Sequence, residues 1–78
     1  MGRQMEIRVT LSGNLRKYFE EDKRFQLEAP VTVGDLLQHL NIEDGEVGVV
    51  AINGELAGKT ERLREGDTVQ LFPPIGGG

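Results

Sequence analysis

One segment of this sequence carries apolar side chains at helical spacing, and it constrains the possible folds more than any other feature. Val33, Leu36, Leu37 and Leu40 recur at positions i, i+3, i+4 and i+7. On an α-helix these side chains form a single apolar stripe. A helix with one such stripe has to bury it against another layer of the protein.

Signals at both ends bound this helix. Thr32 and Asp35 have the spacing of a capping box, in which each side chain accepts a hydrogen bond from the other residue's backbone N–H. Asn41 follows the stripe, and asparagine tolerates the left-handed conformation in which many helices end. The sequence therefore predicts one main helix at about residues 33–40.

Most of the remaining chain has strand character. Its segments either alternate apolar and polar residues or carry runs of β-branched residues, and Asn53-Gly54 is a strong hairpin turn between two of them. Together with the main helix they predict an α+β fold, with a mixed sheet of about five strands covered on one face. The predicted strands are residues 5–11, 25–27, 47–52, 55–57 and 68–72.

The predicted core joins the helix stripe to the apolar positions of the sheet. Leu63 is expected to fill the core from an otherwise charged loop. Leu15, Tyr18 and Phe19 have helical spacing and predict a short helix or helical turns, whereas residues 20–24 are charged and predict a solvated loop. The strand side chains expected beneath the stripe are Ile7, Val9, Val49, Val69 and Leu71.

Composition excludes several functional classes. The chain has no cysteine and one histidine, His39, so the sequence offers no thiol nucleophile and no predicted metal site. We expect His39 at the surface and Lys59 to be an ordinary loop lysine. The formal net charge of −4 argues against nucleic-acid binding. With no membrane-spanning run and no secretory signal visible, we expect a cytoplasmic protein that binds no membrane.

The end of the sequence stands out from this background. Residues 72–78 read Phe-Pro-Pro-Ile-Gly-Gly-Gly. Prolines favour an extended exit from the last strand, and glycines remove every side chain from the tip. Residues 73–78 would reach roughly 20 Å if extended, enough to carry a carboxylate into the active site of a partner. A frayed terminus and a cloning scar are the alternatives.

Three segments match the pattern of one known family. Residues 32–37 open the main helix, residues 50–55 form the hairpin, and residues 63–78 run through the last strand to the end. With them the whole chain resembles the MoaD/ThiS group of ubiquitin-like sulfur carriers. Molybdopterin synthase small subunits end in Phe-Pro-Pro, an apolar residue, a small residue and Gly-Gly; Ile75 and Gly76 stand at the apolar and small positions.

This resemblance implies a carrier and not an enzyme, folded as one ubiquitin-like β-grasp domain over residues 1–78 with a flexible tail at residues 73–78. In that family an E1-like adenylyltransferase of the MoeB/ThiF type uses ATP to activate the C-terminal glycine, and sulfur transfer then makes a thiocarboxylate. Gly78 is accordingly the site of chemistry, while Gly76 and Gly77 provide clearance. The carrier itself binds no cofactor and no metal.

The resemblance leaves several sulfur acceptors open. Ser12 to Arg24 separate the first two predicted strands by 13 residues, more than in thiamin-type carriers, which favours the molybdopterin type with a larger MoaE-like acceptor subunit. Many members carry an aromatic or apolar residue where Ser12 and Gly13 stand. A thiamin-type or cysteine-synthesis carrier, a ubiquitin-like protein modifier and a binding module with an inert tail are the alternatives.

Strand parity predicts where partners dock. With Val69 and Leu71 facing the helix, Phe72 points to the other face of the sheet, and aromatic side chains are favoured interface anchors. Leu56 either joins this surface or packs in the core. The predicted partner-binding residues are Phe72, Pro73, Pro74, Ile75 and Leu56.

Overall fold

The computed structural model describes residues 2–74, and its helices and strands follow the predicted order. The α-helix α1 spans Val33–His39, and two 3-10 helices, Gly13–Lys17 and Asp44–Glu46, lie in the connections. Within the described residues, every helix is too short or too polar to cross a membrane. The strands are β1 (Arg3–Leu11), β2 (Lys23–Ala29), β3 (Val49–Ile52), β4 (Glu55–Ala57) and β5 (Thr68–Phe72).

The strands form one mixed sheet in the order β2-β1-β5-β3-β4. The central strands β1 and β5 run parallel, and the other neighbouring pairs are antiparallel. The longest of the three antiparallel pairs, β1 with β2, spans the register from Arg3 opposite Ala29 to Val9 opposite Lys23. This arrangement confirms the predicted α+β fold and has the β-grasp order of strands around one main helix.

The helix begins and ends where its sequence signals predict. The Thr32 side chain accepts a hydrogen bond from the Asp35 backbone N–H at 3.1 Å, and the Asp35 carboxylate accepts one from the Thr32 N–H at 2.9 Å. Leu40 is the C-cap, and Asn41 follows with a φ of 59°, in the left-handed region. The capping box and the terminating asparagine are therefore confirmed.

The core lies between α1 and one face of the sheet. Val33, Leu36 and Leu37 are buried there, while Leu40 is only partly buried at its margin. Leu63 enters the same cluster from a loop, as predicted, and Leu15 enters it from the first 3-10 helix. The strand side chains of the cluster are Met5, Ile7, Val9, Leu11, Leu27, Val50, Val69 and Leu71.

One predicted core residue points the other way. Val49 is opposite Phe72 in the β3–β5 register, and Val50 is opposite the fully buried Leu71. Because side chains alternate along a strand, Val50 enters the core and Val49 faces away from it. The prediction was wrong because residues 47–52 are apolar almost throughout and show no alternation from which the inward positions could be read.

The second strand is longer than predicted. It covers seven residues, Lys23–Ala29, so that Lys23 and Arg24 belong to it and not to a solvated loop. The strand lies at the edge of the sheet and pairs with β1 along its whole length. Charged residues are common on edge strands, where they oppose pairing with other chains. Here the charges of Lys23 and Arg24 led to their assignment to the loop before the strand.

Candidate functional site

The end of β5 is held from both sides. The Ser12 N–H donates a hydrogen bond to the Leu71 carbonyl at 3.0 Å, and the Gly48 N–H donates one to the Phe72 carbonyl at 2.8 Å. These bonds keep the strand in the sheet up to its last residue. Pro73 and Pro74 follow, and as neither has an N–H, the ladder cannot continue through them.

The sheet face away from α1, called here the outer face, is divided into a polar half and an apolar half. The polar half belongs to β1 and β2, where Glu6, Arg8 and Arg24 alternate with core residues. The apolar half is formed by β3, β4 and the end of β5. It contains an open groove of ≈ 630 Å³, the outer-face groove, lined by Ser12, Gly13, Val49, Ala51, Gly54, Leu56, Gln70, Phe72, Pro73 and Pro74.

The structure brings four of the predicted partner-binding residues together in this groove. Phe72 is partly buried on the outer face, as strand parity predicted. Leu56 is 81% exposed, so the alternative of core packing is wrong. It faces outward because its β3 register partner, Ala51, lies on the same side of the sheet and outside the main core cluster. Pro73 and Pro74 complete the set.

Sequence reasoning missed the floor of the groove. Val49 and Ala51 lie beside Phe72 and Leu56, so that an exposed leucine continues into a contiguous apolar surface. Large exposed apolar surfaces mark sites of protein–protein contact more often than isolated exposed leucines do. The signal that could have found it is the pairing of residues 49–52 with residues 69–72, which assigns Val49 and Ala51 to the outer face.

The remaining predicted site residues are Ile75, Gly76, Gly77 and Gly78. They lie outside the residues that the structure describes. Pro74, the last described residue, lines the outer-face groove. The chain therefore reaches its final four residues from the edge of the apolar half.

A polar cluster joins the two loops that flank the end of β5. The Tyr18 hydroxyl donates a hydrogen bond of 2.5 Å to the Glu46 carboxylate, whose other oxygen lies 3.1 Å from the Lys17 ammonium. The bond from Tyr18 and that from Lys17 lower the pKa of Glu46, while the same bond to Glu46 raises the pKa of Tyr18. Because the Tyr18 hydroxyl and the Glu46 carboxylate already have hydrogen-bond partners, we interpret the cluster as a structural link between the two loops.

Lys59 has a structural role that its sequence context does not reveal. Its ammonium donates hydrogen bonds to the carbonyls of Asp44 and Val47, at 2.9 and 3.1 Å, and lies 2.8 Å from the Asp44 carboxylate. The lysine thus ties the loop after the hairpin to the second 3-10 helix. It is more than the ordinary loop lysine that was predicted.

The buried carboxylate of the structure is also fully engaged. Asp67 is 8% exposed and accepts hydrogen bonds from the Asn53 side chain at 2.9 Å and the Arg64 N–H at 2.8 Å. The side-chain oxygen Oδ1 of Asn53 in turn accepts a hydrogen bond from the Thr68 N–H at 2.9 Å. This network closes the hairpin against β5, so Asp67 serves the fold and is not poised for acid–base chemistry.

Other candidate chemistry is lacking in the described part of the chain. His39 is exposed, as predicted, with its ring edge-on to Phe25 at a centroid distance of 6.0 Å. Residues 2–74 contain no group of His, Asp or Glu side chains that could hold a metal ion. The feature that these residues do build is the apolar outer-face groove at the end of β5.

Comparison with protein families gives one match. The model of the ThiS family matches residues 9–78, which is nearly the whole chain. None of the curated protein sequences compared with this chain matches it.

Several solved structures share this fold. The solution structure of a Haloferax volcanii protein is 30% identical, with a TM-score of 0.79, covering 96% of this chain and 88% of that one. SAMP1 from Haloferax volcanii is 28% identical, with a TM-score of 0.73 and coverages of 94% and 99%. A chain from the complex of subunits 1 and 2 of the Helicobacter pylori molybdopterin-converting factor is 28% identical, with a TM-score of 0.59 and coverages of 95% and 100%.

Proposed function

This chain belongs to the ThiS family, and on that basis we propose that it is a sulfur carrier whose reactive group is the carboxylate of Gly78. The observation that carries the proposal is the position of the outer-face groove. Phe72 and Leu56 offer a docking surface at the point where the chain turns, at Pro73 and Pro74, towards its last residues. Docking and delivery of the tail therefore occur at the same end of the molecule.

The chemistry assigned to Gly78 needs an enzyme other than this chain. A carboxylate is a poor electrophile, so an E1-like partner would first join it to the α-phosphate of ATP and release pyrophosphate. A sulfide-level donor would then attack the acyl-adenylate carbonyl and displace AMP, leaving a thiocarboxylate. Residues 2–74 would supply recognition and reach, and the carrier would act in the cytoplasm without a cofactor of its own.

For the sulfur acceptor we propose a larger subunit of the molybdopterin-synthase type. Two observations support this choice: the long connection that contains the first 3-10 helix, Gly13–Lys17, and the Phe72-Pro73-Pro74 sequence. The Helicobacter pylori relative was solved as a complex of the two subunits of its molybdopterin-converting factor. A partner of that kind would cover the outer-face groove and receive the tail in its own active site.

Protein modification is the second candidate function. The likeness to SAMP1, the small archaeal modifier protein 1 of Haloferax volcanii, favours it. A modifier uses the same adenylated glycine but ends in an isopeptide bond to a lysine. Tryptic peptides in which Gly78 is joined to lysines of other proteins would therefore distinguish it from a carrier.

The first step shared by both functions gives the test. Purified chain, ATP and the E1-like enzymes of the same genome should support exchange of labelled pyrophosphate into ATP. A variant lacking Gly77 and Gly78 should keep the fold of residues 2–74 and support no exchange. Equal exchange with the truncated and the full chain would show that the tail is not the substrate and would favour a binding module with an inert tail.

A further inference from the structure

The chain leaves the sheet between two glycines, and both are in close contact with the prolines. A Cβ atom placed on Gly13 would lie 2.8 Å from Cγ of Pro73, and one placed on Gly48 would lie 2.5 Å from Cα of Pro74. Real Cβ atoms do not approach other atoms this closely. A side chain at either glycine would therefore displace the segment that starts the tail.

Of the two positions, Gly48 is the more informative. Gly13 has a φ of 59°, so its backbone conformation alone favours glycine. Gly48 is not among the residues with positive φ, and its N–H is already bonded to the Phe72 carbonyl. Its φ therefore does not by itself favour glycine. Glycine is required there by the close approach of the prolines, because the Cα and N atoms of Pro74 and the carbonyl oxygen of Pro73 would meet the new side chain.

The two loops that carry these glycines are fastened to each other. Gly13 begins the first 3-10 helix, and Gly48 follows closely on the second one. The bond from Tyr18 to Glu46 spans the two loops, and the ion pair from Lys17 reinforces it. Lys59 anchors the second loop from the far side. The two loops on either side of the prolines thus have fixed positions relative to each other.

We propose that Gly13 and Gly48 form a gateway that sets the direction in which the chain leaves Pro74, and that Gly48 is a positioning residue for the delivery of Gly78. Four residues follow Pro74 in the sequence, which span at most about 14 Å. Over so short a distance the exit direction decides which points the terminal carboxylate can reach from a partner docked in the groove. For the reactive group, a misplacement of about 1 Å is enough to cost up to a hundredfold in rate.

The test compares Gly48→Ala with Gly45→Ala. Gly45 lies in the same loop and has open space around it, so its alanine variant controls for composition and backbone entropy. In NMR spectra of the wild-type protein, residue 48 should show nuclear Overhauser contacts to Pro74. Gly48→Ala should lose or shift these contacts, with chemical-shift changes concentrated at residues 72–74, whereas Gly45→Ala should keep them.

The kinetic readout rests on the proposed function. With a cognate E1-like enzyme and ATP, Gly48→Ala should lower kcat for adenylation at least about tenfold while KM for the carrier changes little, because the groove still docks. Gly48→Ala behaving like Gly45→Ala, both in the Pro74 contacts and in kcat, would overturn the gateway. Absence of adenylation with the wild-type chain would instead overturn the proposed function, and the NMR comparison would still decide the gateway.

A second variant covers the case in which Gly48→Ala does not fold. Tyr18→Phe removes one hydroxyl and leaves the ring in place. It therefore weakens the link between the two loops without adding a side chain next to Pro73 or Pro74. It should weaken the contacts between residue 48 and Pro74 and lower kcat in the same direction by a smaller factor. Wild-type spectra without contacts between Gly48 and Pro74, or a Tyr18→Phe variant with unchanged contacts and kcat, would contradict the inference.

Discussion

Val49 and Phe72 are cross-strand partners in the β3–β5 pair, and both line the groove on the outer face of the sheet. Their pairing links the last residue of the sheet to the apolar surface of its neighbouring strand. Anything that docks on Val49 is therefore also in contact with the point from which the tail departs.

Leu56→Asp should weaken partner binding without weakening the fold. Because Leu56 is 81% exposed, the free energy of unfolding should change by no more than about 0.5 kcal/mol. A carboxylate in the apolar groove should cost about 2 kcal/mol of binding free energy to the E1-like enzyme or the acceptor subunit. Isothermal titration calorimetry measures the binding, and denaturant titration measures the stability.

Gln26→Asp is the matched control for that variant. Gln26 is exposed on β2 opposite Glu6, in the polar half of the outer face, and lies far from the groove in strand order. It introduces the same carboxylate on the same face. If Gln26→Asp and Leu56→Asp weakened binding equally, the effect would be one of net charge, and the groove would not be the docking site.

Val49→Ala and Val50→Ala should differ in the property they affect. Val50 is buried in the core, so truncating it should cost about 2 kcal/mol of unfolding free energy. Val49 is only partly buried on the outer face, so its truncation should cost less stability and more binding. Thermal denaturation and partner titration of both variants check this, and equal loss of stability would contradict the assignment of faces.

The contrast between these two valines shows where sequence reasoning stops. Alternation in residues 5–11 was sufficient to orient β1, and the capping box at Thr32 bounded the helix. The run at 47–52 has no polar positions to mark its outward side, so only its register with β5 reveals which valines face the core. The role of Gly48 could not be predicted from the sequence for a related reason. Glycine is required there because of contact with Pro74, which is distant in the sequence.

Asp67→Ala should destabilise the protein although it touches neither groove nor tail. The carboxylate is nearly buried, and its removal leaves the Asn53 amide and the Arg64 N–H without their partner. Leaving such donors unsatisfied costs about 1–3 kcal/mol. Urea titration measures the loss. Glu61→Ala, at an exposed carboxylate of the same loop, is the control, and an equal effect there would refute a role for burial.

Tyr18→Phe should change the pH dependence of stability at both extremes. The pKa of Glu46 is lowered by the bond from Tyr18, so this contribution is present above the ordinary glutamate pKa and is lost as the pH falls through the lowered value. The pKa of Tyr18 is raised, so its contribution is present below the ordinary tyrosine pKa and is lost as the pH rises through the raised value.

The stability difference between the wild type and Tyr18→Phe should accordingly be largest near neutral pH and shrink towards acid and towards strong base. Melting temperatures of both proteins across the pH range provide the measurement. A difference that stays constant from acid to base, or no difference at any pH, would mean that the hydrogen bond between the Tyr18 hydroxyl and the Glu46 carboxylate does not contribute through the ionisation of either group.

The mass of the intact chain after activation tests the central claim most directly. The protein is incubated with its cognate E1-like enzyme, ATP and a sulfur donor, and its mass is compared with that of the untreated chain. A sulfur carrier should gain the mass difference of one sulfur for one oxygen, and fragmentation should place the change at Gly78. Adenylation of Gly78 without this exchange, or a mass that stays unchanged with an active E1-like enzyme, would contradict the assignment as a sulfur carrier.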